Sequence, residues 1–208
     1  MIKDFVSELS SSAPVPGGGG VAALSGALAC ALTSMVFNLT TNKKAFNEYD
    51  EEKKKKVFET LESSAENLDE FLDLMDKDAE EFLSLIGAFK LSKNSEEQKK
   101  LREQKINEGY KNALFVPLTI AEKAVKIYEY INIAAVLGNK NAVSDAGVAA
   151  IMLQSAIESA VLNVNINLAS IKDEEYKEEI SKKCKNIIDV GMINKNKIMD
   201  IVNSIINA

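Results

Sequence analysis

The stretch from Ser11 to Thr40, SSAPVPGGGGVAALSGALACALTSMVFNLT, limits what the rest of the chain can become. Pro14 and Pro16 are followed by Gly17, Gly18, Gly19 and Gly20, and about twenty residues then pass without a charge, a length that would cross a membrane. Gly18, Ala22, Gly26 and Cys30 nevertheless fall at every fourth position, so one face of a helix here is nearly flat and other helix backbones can approach it closely. A buried central helix is the expectation. The glycines ahead of it would aim free backbone N–H groups and the positive end of the helix dipole at one point, which suits a carboxylate or a phosphate. A glycine run serves equally as a flexible entry loop.

The 208 residues include no histidine. Proton transfer near neutral pH must then fall to a carboxylate, lysine, tyrosine or cysteine whose pKa its surroundings have moved, and a transition-metal site loses its commonest ligand. Neither a metal nor a cofactor is expected. Cys30 and Cys184 stand far apart and Cys30 lies in the apolar stretch, so neither a disulfide framework nor a metal-ligand spacing is indicated. A reducing, cytoplasmic setting fits, and the opening MIKDFVSELSSS lacks the charged-then-apolar order of a signal peptide. The net charge of −6 argues against a general nucleic-acid binder. The length fits one domain, 1–208, with a substantial core.

Taken in order, Ile2, Phe5, Val6 and Leu9 mark a short amphipathic helix that the Ser10–Pro16 segment ends. Residues 41–50, with Lys43 and Lys44, read as a loop or a frayed helix end. From Glu51 to about Phe89 apolar residues return in steps of three and four, through Leu68, Phe71 and Met75 to Phe82, Ile86 and Phe89. One step is longer, and Asp78 stands inside it, three residues after Met75 and four before Phe82. A carboxylate in an apolar stripe is either a buried helix-to-helix hydrogen bond or, with its pKa raised by desolvation, a proton carrier near pH 7. The spacing favours neither.

Ser95-Glu96-Glu97-Gln98 resembles a capping box and opens a second long helix to about Leu137, with Pro117 inside it, where a backbone donor is missing and a kink is expected. Ser144 reads as the N-cap of the next helix, with Asp145 at its positive end. That helix carries Ser155, Ser159, Asn163 and Asn167 at four-residue spacing, a polar ridge that must pair with another helix or line a cavity. A last helix from Asp173 to Asn207 reads as scaffold. No segment alternates with a period of two, so the expected fold is an all-α antiparallel bundle of long helices around the small-residue-rich central one. Its helices are amphipathic and charged on one side, as for a water-soluble bundle and not a membrane protein.

Read together, PVPGGGGVAALSGAL, the Asp78 region DKDAEEF, LSK at Leu91 to Lys93, Arg102, and GNKNAVSDAGVAA with LNVNINLASIKD resemble the cyclodeaminase/cyclohydrolase family, which acts on one-carbon tetrahydrofolates. The likeness runs in order over nearly the whole chain, departing at Gly20, where the family commonly has serine, and at Ser92, where it has proline. It implies that Asp78 is the catalytic aspartate. It further implies that Gly17, Gly18, Gly19, Gly20 and Lys93 meet anionic or polar parts of the ligand. Ser144, Asp145, Asn163 and Asn167 would form its hydrogen-bonding edge, with Asp145 facing paired N–H donors of a pterin. An all-helical homodimer with a folate substrate is implied as well. The implied reaction is hydrolysis of 5,10-methenyl-tetrahydrofolate to 10-formyl-tetrahydrofolate. One alternative is formiminotetrahydrofolate cyclodeaminase, which releases ammonia to give the methenyl form; one of another class is a non-catalytic folate-binding bundle.

Overall fold

The computed structural model describes residues 2–208, and every regular element among them is helical. In order these are α1 (Ile2–Leu9), α2 (Gly18–Thr41), the single turn α3 (Lys44–Asn47), α4 (Glu51–Phe89), α5 (Glu96–Leu137), α6 (Val143–Leu168) and α7 (Glu174–Ile206). A short 3₁₀ turn, Lys140–Ala142, leads into α6. The fold is the all-α bundle expected from the sequence.

Small residues decide how α2 sits. Ala22, Ala23, Ala29 and Cys30 are fully buried, and α2 packs on both α4 and α6. Gly26 admits the ring of Phe71 from α4: a Cβ there would lie 2.7 Å from it, so even alanine would overpack the contact, at a cost of about 1–3 kcal/mol. Gly26 against Phe71 and Gly19 against Asp78 make α2 and α4 antiparallel. Likewise, Gly18 against Asn163 at one end and the Asn139 N–H donating to Thr40 Oγ1 at 2.8 Å at the other make α2 and α6 antiparallel. The α5 helix contacts α2, α4 and α6, and α7 lies along α5 and α6.

By length and composition, Gly18–Thr41 and Lys140–Leu168 could each cross a membrane. Their apolar character has a reason inside the bundle, because 56% of an apolar 18-residue window in each is buried.

The long helices begin where a side chain can satisfy a free N–H group. Asp50 accepts from the Lys53 N–H at 2.8 Å, Ser95 from Gln98 at 3.2 Å and Asp173 from Tyr176 at 3.1 Å. Each such cap contributes about 1 kcal/mol. The capping box at Ser95 returns one residue early, since Gln98 Oε1 accepts from the Asn94 N–H and the Ser92 hydroxyl.

Four expectations change in detail. Ser144 is not an N-cap: the 3₁₀ turn runs directly into α6, Ala142 occupies the cap without a side-chain bond, and Ser144 lies in the first turn. Residues 41–50 contain the turn α3, which buries Phe46. In the last three turns of α4 the buried positions are Leu85 and Ala88, while Phe82 and Phe89 are substantially exposed. Finally, α1 is the expected amphipathic helix, yet it buries none of its residues.

Candidate active site

The first turn of α2 and the middle of α4 meet at Asp78. A Cβ on Gly19 would overlap its carboxylate, so glycine at that position leaves the room the side chain occupies. The α2 N-cap is Gly17, which has no side chain to accept from the free N–H groups, and the first turn contains no acid. Asp78 supplies the missing negative charge from α4 and accepts a hydrogen bond from the Gly20 N–H. Burial raises its pKa above the ordinary carboxylate value, and the Gly20 bond draws it only partly back.

A cavity of about 440 Å³ opens beside the carboxylate. Gly17, Gly18 and Gly19 form one end with Pro14 and Val15; Phe82, Ile86 and Phe89 continue along α4; Tyr110 and Ala113 come from α5; Asn163, Ile166, Asn167 and Ser170 come from α6. Asp78 and Phe89 are eleven residues apart on one helix, so the cavity is about 16 Å long, polar at the Asp78 end and aromatic at the other. At the aromatic end Phe89 and Tyr110 pack edge to face with centroids 6.0 Å apart. Arg102 lies over the outer side of Phe89, 6.0 Å from the ring centroid, and donates to the Phe89 carbonyl at 3.2 Å.

Two amides line the α6 wall, and their donors are committed to the fold. Asn163 Nδ2 donates to the Ser159 carbonyl at 2.8 Å; Asn167 Nδ2 donates to the carbonyls of Asn163 at 2.9 Å and Ala113 at 3.0 Å. Both amide oxygens are thereby left for the cavity. The Ala113 carbonyl is free to accept because the residue four places on is Pro117, which has no N–H to give it. The proline inside α5 thus shapes the site through Asn167.

The cavity gathers Asp78, Gly17, Gly18, Gly19, Asn163 and Asn167 from the residues singled out in the sequence. Gly20 turns its N–H to Asp78 and does not line the cavity. Lys93 sits in the exposed α4–α5 turn, outside the lining. Ser144 and Asp145 stand at the opposite end of α6, about 27 Å from Asn163 along the helix, so within one chain they form no edge of this site. The polar ridge on α6 divides: Asn163 and Asn167 face the cavity, whereas Ser155 is exposed and bonds back to the Ile151 carbonyl at 3.1 Å. Phe82 and Phe89 read as core in the sequence and prove, with Tyr110 of α5, to be cavity wall. Among the described residues no group of three potential metal-ligating side chains comes together.

The chain has relatives among known proteins. A methenyltetrahydrofolate cyclohydrolase from Methylorubrum extorquens is 38% identical over 207 residues, covering 99% of this chain and 97% of the relative. The rat formimidoyltransferase-cyclodeaminase is 33% identical over 187 residues, which are 90% of this chain and 34% of that longer protein. The crystal structure of formiminotetrahydrofolate cyclodeaminase from Thermotoga maritima superimposes with a TM-score of 0.85 at 27% identity, over 99% of this chain and 97% of that one. The sequence model for formiminotransferase-cyclodeaminase matches residues 1–186, from α1 through Asp78 and both cavity amides into α7, and the chain belongs to that family.

Proposed function

We propose that this chain is a methenyltetrahydrofolate cyclohydrolase that adds water to 5,10-methenyl-tetrahydrofolate and opens the ring to 10-formyl-tetrahydrofolate. The observation that carries the reading is Asp78: a desolvated carboxylate with the Gly20 N–H as its partner, at the polar end of a cavity of about 440 Å³, in a chain without histidine. The methenyl carbon shares a positive charge between two nitrogens, and a carboxylate beside it is electrostatically favourable. As the water oxygen bonds to that carbon, Asp78 takes a proton from the water. It then returns the proton to the ring nitrogen whose bond to the carbon breaks, while the remaining hydroxyl proton leaves to solvent as the formyl C=O forms. A pKa raised above the ordinary carboxylate value suits one carboxyl to both steps.

On this reading the benzoyl part of the folate lies among Phe82, Phe89 and Tyr110, and N–H groups of the pterin meet the amide oxygens of Asn163 and Asn167. No metal or cofactor takes part. The enzyme acts in the cytoplasm as a homodimer; the exposed apolar faces of α2 and α6 support the pairing. The whole-length likeness to a cyclohydrolase favours hydrolysis. A second reading, formiminotetrahydrofolate cyclodeaminase, has the whole-length structural likeness behind it, and the same carboxyl would serve as ammonia leaves.

Absorbance of the methenyl form decides between them. Supplied with methenyl-tetrahydrofolate, the enzyme should bleach it faster than buffer does; supplied with the formimino compound, a cyclodeaminase would generate it. Folded protein that changes neither signal would sink both readings.

A further inference from the structure

We propose that the groove between α5 and α7 binds a free acidic α-amino acid, at a site separate from the Asp78 cavity and independent of the folate reading.

The two helices run side by side in the same direction. The Lys111 ammonium lies over the Tyr176 ring, Glu122 pairs with Lys183, and farther along residues 125–132 face residues 194–198. There the helices border a pocket of about 310 Å³, large enough for a small metabolite. It shares no residue with the first cavity. Its edge at Val125 lies twelve residues along α5 from Ala113, about 18 Å away.

Val125 and Ile198 give the pocket apolar sides, and Tyr128 contributes a buried ring whose hydroxyl is already donated to Gln154. The polar groups left for a ligand are Lys126, Glu129 and Asn132 from α5 with Asn194 and Lys197 from α7. None of these side chains has a hydrogen bond or ion pair to another described residue. Elsewhere in α5 the same arrangement closes on itself: Lys105 and Glu108, in the order and spacing of Lys126 and Glu129, meet at 2.9 Å. Asn132 carries the point further, because its Oδ1 is buried and accepts from nothing, and a buried acceptor is unfavourable until a donor reaches it.

The charges select the ligand. Two lysines against one glutamate leave the pocket one positive charge in excess. A simple inorganic anion would be repelled by Glu129 and would bring Asn132 no donor. An acidic α-amino acid brings an ammonium for Glu129 and Asn132 Oδ1 and two carboxylates for Lys126 and Lys197, and its single net negative charge cancels the excess. Lys126 and Asn132 are six residues apart, about 9 Å along α5, a span that extended glutamate with a hydrogen bond at each end covers. Its methylene groups then lie between Val125 and Ile198.

Calorimetric titration of the full chain at low ionic strength with L-glutamate, glutarate and inorganic phosphate tests the proposal. L-Glutamate should bind one molecule per chain with a Kd of about 0.1–1 mM. Glutarate, which lacks the ammonium, should bind about 10-fold more weakly, and phosphate more weakly again. Lys197→Ala should weaken L-glutamate about 10-fold; Glu129→Gln should do the same while glutarate binds at least as tightly as before, because only the ammonium uses that carboxylate. Both positions are exposed, so circular dichroism should be unchanged. Folded Asp78→Asn should bind L-glutamate as the wild type does, which separates the two cavities. Four results overturn the proposal: no saturable heat with L-glutamate, glutarate or phosphate binding as tightly as L-glutamate, wild-type affinity in either pocket variant, or loss of binding in folded Asp78→Asn.

Discussion

Gly191 and Gly19 each stand against a polar side chain inside the bundle, and the two places finish the arrangement differently. At Gly191 on α7, a Cβ would come within 2.7 Å of Gln154 Oε1. Gln154 is 5% exposed, its Oε1 accepts from the Tyr128 hydroxyl at 2.9 Å, and its Nε2 donates to Glu158 at 2.8 Å. That chain of bonds is closed, and nothing in it awaits a ligand. At Gly19 the opposing group is Asp78, whose carboxylate has the Gly20 N–H and little else, beside two amides with their oxygens open to a cavity. Saturated buried polarity holds helices together; unsaturated polarity beside empty volume is what a substrate can use.

The largest effect expected from breaking this contrast is at Asp78. Asp78→Asn should lower kcat by about 10³-fold, with far-UV circular dichroism unchanged. Because the folded-state pKa of Asp78 is raised, its contribution to stability is favourable at low pH and is lost as pH rises through the folded value. At neutral pH the variant should therefore melt at or above the wild-type temperature. The pH profile sharpens the same point: the first step uses the ionised carboxylate, so kcat/KM should fall on the acid side through a pKa above 3.8, and that limb should vanish from the residual activity of Asp78→Asn.

Gly19→Ala comes next. The added methyl group displaces the carboxylate, and a shift of about 1 Å should cost about 10²-fold in activity. Gly191→Ala should reverse the pattern, lowering stability by about 1–3 kcal/mol in urea melts while the protein that remains folded keeps its kcat. Equal loss of activity in both glycine variants would erase the distinction. The smallest change is Tyr128→Phe, which removes one hydroxyl from the closed network and should cost about 1 kcal/mol with unaltered kinetics.

Much of this was legible in the residues. The apolar stripe of α4 sets Asp78 in line with apolar neighbours without any knowledge of the fold, and the small-residue period of α2 identifies the helix at the centre. The four-residue spacing of Asn163 and Asn167 likewise puts them on one wall. Periodicity fails where it cannot tell a neighbouring helix from a gap between helices: Phe82 and Phe89 satisfy the stripe but face the cavity. It also says nothing of which end of a helix meets which, and so Ser144 and Asp145, grouped with the cavity amides by family resemblance, stand far down α6 from them. Lys93 illustrates a third limit, since a cation near a binding region in sequence can still point to solvent from a turn. The relation between Pro117 and Asn167 lies beyond any local pattern, because fifty residues separate them and the link is a carbonyl on a third residue.

That link gives the site a polarity it would otherwise lack. An amide free to flip reads a donor or an acceptor with equal ease, but one whose nitrogen is moored to the Ala113 carbonyl can present only lone pairs inward. A ligand edge that offers N–H donors finds a match there, and an edge of bare lone pairs meets repulsion. A backbone donor that proline leaves out of α5 is, by this route, what fixes the hydrogen-bonding sense of the cavity wall.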